Sequence, residues 1–294
     1  MALWNDRRGR FSPLRAGTLA LLAAPGLYLI YTAMTVGLGP RPLNEAMHYV
    51  GQWSVRFLIL VLALTPLRRL ARYPKLADIR RMVGVGAFSY IAVHFPLYIV
   101  DQAFDLPKVA AEIVLRIYLT IGFVAWIGFA ALAVTSNDYM VRRLGGIRWR
   151  KLHRLVYPVA TLGLIHHFMQ AKQDVTNPTI LAGIFLWLML YRIAHWTLPR
   201  SVMRSDGELP LWYIAGLGVF SATLTFVFEA IGLALAHGVS TWLVLQLNFT
   251  FYAGLRPGWY VLLFGALMLV IALVRLKPER GFSQLASSAG RTPS

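Results

Sequence analysis

Apolar residues in this chain run in long unbroken blocks rather than in the alternating pattern of half-buried elements. Eight blocks stand out, at residues 17–37, 52–67, 82–100, 113–135, 155–171, 179–198, 211–236 and 257–275. They bracket the roughly 20 helical residues that cross a bilayer. A helix apolar on every side faces lipid or the inside of a bundle. The pattern therefore predicts an all-α integral membrane protein of eight transmembrane helices. The first block reads as a span rather than a signal peptide, because its apolar part is long and no small-residue cleavage site follows. Ser240–Leu255 is apolar but short, and a crossing there would carry the basic tail to the wrong side; it reads as interfacial or re-entrant. The last eighteen residues, rich in serine and basic residues, are expected to be disordered.

The polar positions between the blocks give the topology. Of 29 Lys and Arg residues, 22 lie at the N-terminus, in the 68–81, 142–154 and 199–210 loops and in the tail. The opposite loops and span ends hold Arg41, Arg56, Lys108, Arg116, Lys172 and Arg256, and Arg192 lies near the end of the sixth block. By the positive-inside rule both termini are cytoplasmic and the number of spans is even. The net charge of +17 is thus a topology signal, and no nucleic-acid partner is implied. The loops are too short for a nucleotide-binding fold, which needs about 30 residues to begin. Gly84-Val85-Gly86 lies inside a span, where small residues let helices approach. Donor and acceptor for any electron transfer are then other molecules. The chain has no cysteine, which excludes iron–sulfur clusters, a catalytic thiol and thioether-linked haem.

Three histidines set in or beside the apolar blocks carry the candidate chemistry: His94, His153 and His166. Ionisable residues inside a membrane are costly and mark functional sites. With the topology above, His94 and His166 fall at similar depth near the outer face, as two imidazoles gripping one porphyrin would. His153 lies near the inner face, thirteen residues before His166, or roughly 20 Å along one helix. That spacing leaves the two about 140° apart around an ideal helix, whereas His167 would be only about 40° away. Pro158, lying between them, is expected to kink the helix and alter the phase. Spacing alone does not separate His166 from His167. His48, His195 and His237 are weaker candidates. Arg80 and Arg81 sit at the depth of His153, either as snorkelling surface residues or as partners of a haem propionate or flavin phosphate. A hydrogen-bonded polar cluster, or a proton relay in a non-redox transporter or channel, is the competing account of the histidines.

Several motifs recur in the order of a known family: Thr65-Pro66-Leu67-Arg68, Arg80-Arg81-Met82-Val83-Gly84, His94 to Tyr98, Leu132-Ala133-Val134-Thr135-Ser136, and Trp149 to Tyr157. Over residues 20–198 the chain resembles the MsrQ (YedZ) family, within the ferric reductase-like transmembrane group. The intramembrane histidine candidates all precede a shift near Pro199–Pro210, so 1–199 reads as a six-helix haem-binding core and 200–294, which the resemblance does not cover, as a C-terminal extension bearing two more transmembrane helices and the tail. The resemblance implies haem b, one or two per chain, with iron ligands among His94, His166 and His153. It favours His166 over His167, where the family pattern has tyrosine. Arg80 stands where the wider group has a haem histidine, so His153 would lack an imidazole partner from that helix. The implied role is electron transfer across the bacterial inner membrane, from a cytoplasmic flavin reductase or quinone to a periplasmic molybdopterin-containing reductase subunit that repairs methionine sulfoxide. FMN is implied at the inner face, with Arg80 and Arg81 among its candidate contacts. A free-standing ferric or quinone reductase is the alternative within the same group.

Overall fold

A computed structural model describes residues 2–6, 8–171, 174–251 and 254–275. The tail expected to be disordered lies outside the described residues. Among those described there is no strand beyond one isolated bridge between Asn5 and Phe11. The helices are α1 (Pro13–Thr35), α2 (Pro42–Leu70), α3 (Leu76–Asp101), α4 (Leu106–Leu115), α5 (Ile117–Val134), α6 (Asp138–Leu144), α7 (Gly146–His153), α8 (Val156–Gln170), α9 (Thr176–Thr197), α10 (Leu211–His237), α11 (Thr241–Leu247) and α12 (Pro257–Val274). Seven of them, α1, α2, α3, α5, α9, α10 and α12, are long and apolar enough to cross a membrane.

The block at 155–171 departs from the expectation. The helix does not run from His153 to His166: α7 ends at His153, a turn follows, and α8 starts at Val156. Pro158 explains the break. Its ring has no N–H for the carbonyl of Arg154 and would clash with it, which favours a break there, whereas Pro25, Pro66 and Pro96 are carried inside α1, α2 and α3. In the first turn of α8 the proline is tolerated, and it starts a helix instead of kinking one. The 20 Å rise and the 140° phase, which assume one helix, do not apply. At 15 residues, α8 is about 22 Å long, short of the ~30 Å hydrocarbon core.

The fourth block also divides. Arg116 has an extended backbone (φ −109°, ψ 105°) that separates α4 from α5. Asp105 caps α4 by accepting from the Lys108 N–H at 3.0 Å. On the opposite side of the bundle Asn137 caps α6 by accepting from the Met140 N–H at 2.8 Å. Gly145, at φ +75°, turns the chain into α7 through a conformation that side chains with a Cβ avoid. Among the described residues of Ser240–Leu255 the only helix is the short α11, packed against α10.

Helix α2 is the centre of the bundle. Of its most apolar window 61% is buried, against 17% for α1 and α3 and 11% for α5. It lies along α3 and touches α1, α8 and α9, while α5 pairs with α8. Helices α10 and α12 pack on each other and on α9. At the α10–α12 crossing Gly218 meets Gly265, where a Cβ on Gly218 would sit 3.3 Å from the Gly265 Cα. Such close backbone approach is how helices gain dispersion energy where lipid removes the hydrophobic drive. Leu62, Trp187, Leu188 and Tyr191 fill the core, and Leu27, Ile30, Ile127, Leu263 and Val270 are exposed on the outside. That is the apolar rim a bilayer would cover.

Candidate functional site

Helices α3 and α8 bring His94 and His166 together. Their ring centres are 6.3 Å apart and the planes stand at 81°. Two imidazole nitrogens about 2 Å either side of one metal, each ring centre ~1 Å farther back, put the centres about 6 Å apart. The second nitrogen of each ring is engaged by a different helix. His94 Nδ1 lies 2.9 Å from the Met47 carbonyl of α2, and His166 Nδ1 lies 2.8 Å from the Tyr118 carbonyl of α5. A carbonyl can only accept, so Nδ1 carries the proton in both rings and Nε2 keeps its lone pair. This tautomer, fixed from behind by a hydrogen bond, is what a metal-ligating imidazole needs. Among the described residues no group of three or more His, Cys, Asp or Glu could hold a metal ion. Two imidazoles alone suit a metal whose other positions are filled by its own macrocycle, as in haem.

One local device serves both histidines. Gly51 is four residues after Met47, and Gly122 is four residues after Tyr118. A Cβ on Gly51 would lie 3.0 Å from the His94 Cε1 and Nδ1, and one on Gly122 would lie 2.5 Å from the His166 Nδ1. In a helix, residue i+4 stands over the carbonyl of residue i. A glycine there clears the way for an imidazole to lie on the helix and reach that carbonyl. The Tyr118 end is braced in turn. Arg116 Nη1 donates to the Tyr118 hydroxyl at 3.1 Å, Arg116 Nη2 donates to Glu112 at 3.0 Å, and the Tyr98 hydroxyl donates to Glu112 at 2.8 Å. This chain ties α3, α4 and α5 at the mouth of the site.

His153 is placed apart from that pair, at the end of α7. Its ring stacks on Trp149 with centres 3.8 Å apart. Nε2 lies 3.2 Å from the Ser136 hydroxyl and Nδ1 lies 3.2 Å from the Trp149 carbonyl. Burial lowers the affinity of this imidazole for a proton, and the charges of Arg80 and Arg81 lower it further, against its backbone hydrogen bonds. His153 is therefore neutral at pH 7 and surrounded by cations. Arg81 pairs with Asp138 at 2.6 Å. Arg80 is exposed on the same helix.

The ring that meets His94 is that of His166. His167 Nε2 is buried without a hydrogen bond. His195, a weak candidate by sequence, binds Glu208 at 3.2 Å, and the Tyr191 hydroxyl donates to the same carboxylate at 2.7 Å. Burial raises the Glu208 pKa, but the nearby His195 ring, the Tyr191 hydroxyl and the charge on Arg69 outweigh it and hold the carboxyl below its usual range. Sequence reasoning missed Gly51, Gly122 and the two carbonyls. The only trace of them is a glycine in an apolar helix, the commonest sign of plain helix packing.

A family model described as "Ferric reductase like transmembrane component" matches residues 50–164. The protein-methionine-sulfoxide reductase haem-binding subunit MsrQ of Rhodospirillum rubrum is 42% identical over 200 residues, covering 67% of this chain and 94% of that protein. The subunit of the same name from Herminiimonas arsenicoxydans is 40% identical over 178 residues, covering 60% of this chain and 81% of its own. That of Caulobacter vibrioides is 35% identical over 184 residues, covering 62% and 87%. No solved structure matches the chain.

Proposed function

The chain belongs to the MsrQ family, a multi-pass bacterial membrane protein with a haem electron-transfer role, and from that membership and the His94–His166 pairing we propose how it works. His94 and His166 hold one haem b near the outer face through their Nε2 atoms. When bound, haem supplies a one-electron iron couple between two neutral strong-field ligands. The protein's part is to fix both rings in the ligating tautomer, through the Met47 and Tyr118 carbonyls, and to keep the site between helices. The observation that carries this reading is the 6.3 Å approach of two imidazoles, each secured from behind.

The basic loops put both termini and the His153 end in the cytoplasm by the positive-inside rule. We assign electron uptake to that end, where His153, Arg80 and Arg81 form a cationic face suited to a flavin reductase, FMN, a quinone or a second haem. Delivery is to a periplasmic molybdopterin-containing subunit that reduces methionine sulfoxide in proteins. Residues 1–199 form the haem core and 200–294 an extension. In the inner membrane the chain is thus an electron-transfer subunit and the chemistry on methionine lies in its partner.

An absorption spectrum of the purified full-length protein tests the haem reading. Low-spin b-type bands are expected in the wild type, and their loss in both His94→Ala and His166→Ala. Full bands in both variants would refute the pairing. Enzymatic reduction of the haem by a flavin reductase should slow in Arg80→Ala while dithionite still reduces it; equal enzymatic rates would refute uptake at that face.

A further inference from the structure

Helix α2 carries polar side chains at 48, 52 and 56, where its neighbours are mostly apolar. His48, Gln52 and Arg56 are spaced four apart, so they share one face and span about 12 Å of the helix. Arg56 lies four residues inside the outer end of the apolar block at 52–67 and twelve before Arg68, roughly 6 and 18 Å along the helix. It is partly buried in the most enclosed helix of the bundle.

Its situation differs from that of several other arginines near the spans. Arg81, Arg116 and Arg256 pair with Asp138, Glu112 and Glu229. Arg192 donates to the carbonyls of Leu188 and Leu62 at 2.7 and 2.5 Å. Arg56 makes one long hydrogen bond, 3.5 Å to Gln52 Oε1 on its own helix, and lies over the Trp53 ring at 4.9 Å. Among the described residues it has no carboxylate partner. A guanidinium has five donors, and an unpaired cation inside a membrane is costly. Two further donors beside it lack acceptors: Trp53 Nε1 and His167 Nε2 are buried without a hydrogen bond. Arg56 and His48 both lie close enough to His167 to act on it electrostatically. His167 adjoins His166, and Gly51, five residues before Arg56, touches His94. The donor cluster therefore borders the site between the two imidazoles.

Haem carries two carboxylates at one edge. We propose that Arg56, with His167 beside it, binds a haem propionate and so orients the haem that His94 and His166 ligate. A proton path along the same stripe fits less well, because a permanent cation on it repels protons. The assignment rests on the haem reading above and deepens it.

The test uses the full-length protein, loaded with haem or with haem dimethyl ester, whose carboxylates are capped. Arg56→Ala should keep the low-spin spectrum but give up haem to apomyoglobin about tenfold faster or more. Its midpoint potential should fall, because a cation nearby favours the more negative reduced state. Arg56→Lys should recover part of both. In the wild type the ester should leave about tenfold faster than haem; in Arg56→Ala the two should leave alike. Equal loss of haem and ester from the wild type overturns the proposal, whether or not the variant folds. Unchanged potential and transfer in Arg56→Ala overturn it as well. A wild type without low-spin haem, or one whose bands survive both His94→Ala and His166→Ala, overturns the underlying haem reading instead.

Discussion

Gly122→Ala adds one methyl group, and the structure says where it goes. The new carbon would lie 2.5 Å from the His166 Nδ1, 2.6 Å from Cε1 and 3.0 Å from Cγ. The ring is planar and already bonded to the Tyr118 carbonyl, so it cannot shrink from the contact; it must swing off α5. Overpacking of this kind costs about 1–3 kcal/mol, and loss of the buried Nδ1 hydrogen bond adds roughly 1 kcal/mol. Together, about 2–4 kcal/mol corresponds to a loss of haem affinity of roughly thirty- to several-hundred-fold. Helix propensity works the other way, because alanine in a helix interior is favoured over glycine by about 1 kcal/mol. A variant that loses haem while the apoprotein stays as thermally stable as before would separate ligand positioning from general damage. The assay is haem content and the rate of transfer to apomyoglobin, read at the low-spin bands. Gly51→Ala should act in the same direction but more weakly, since its Cβ would stand 3.0 Å from the His94 ring. Gly163→Ala is the control, with its nearest neighbour 3.8 Å away on Phe129. Wild-type haem retention in Gly122→Ala, or equal losses in all three variants, would refute the carbonyl-and-glycine account.

Two further outcomes are expected. His167→Tyr should keep the low-spin spectrum, because the ring opposite His94 belongs to His166; loss of haem there with retention in His166→Tyr would reverse the assignment. For His153, the fold favours the neutral ring, whose proton affinity lies below the ordinary 6.5. Acid therefore costs stability, starting as pH falls below 6.5 and growing until the ring protonates in the folded protein. The charged imidazole should quench the stacked Trp149, so the fluorescence difference between wild type and His153→Gln should titrate with a midpoint under 6.5. A midpoint at or above 6.5 would contradict the buried, arginine-flanked placement.

What could be seen in the sequence was what depends on composition over a whole turn or more. Lengths of apolar blocks predict the helices well because lipid demands both length and apolarity from every span. His94 and His166 stood out because polar residues are rare in such blocks. The break before Val156 was harder to read. No glycine marks it, and a proline inside an apolar block is compatible with a kinked helix as well as with a break, since its steric effect acts four residues upstream, on Arg154. The glycines at 51 and 122 were illegible for a different reason. Each owes its place to a ring on another helix, and nothing near it in the chain shows which ring will arrive. Arg56 shows the same limit: its position could be counted, but only the packed bundle reveals that, among the described residues, Arg81, Arg116 and Arg256 found carboxylates and this one did not.

Helices α10 and α12 reach the proposed haem core chiefly through α9, with a smaller contact between α12 and α2. Helix α9 turns one side to α2, where Arg192 reaches the Leu62 carbonyl, and the other side to α10 and α12, where Gly183 sits against Val261. Trp187, Leu188 and Tyr191 lie between these partners with 0%, 0% and 1% exposure. The loop that leads into α10 is itself fastened to the core. Asp206 binds Arg72, just past the end of α2, at 2.5 Å, and Glu208 accepts the Tyr191 hydrogen bond and lies 3.2 Å from His195 Nε2. Without that loop the Tyr191 hydroxyl would be buried with no acceptor, at a cost of about 1–3 kcal/mol. Without α10 and α12 the outer side of α9 would meet lipid instead of helices. Arg192 needs α9 fixed against α2 to reach its carbonyl, and α2 is the helix that also presents Met47, Gly51 and Arg56 to the site. The same helix–helix contacts that cover the extension's side of the bundle therefore hold in register the face of α2 on which His94 rests.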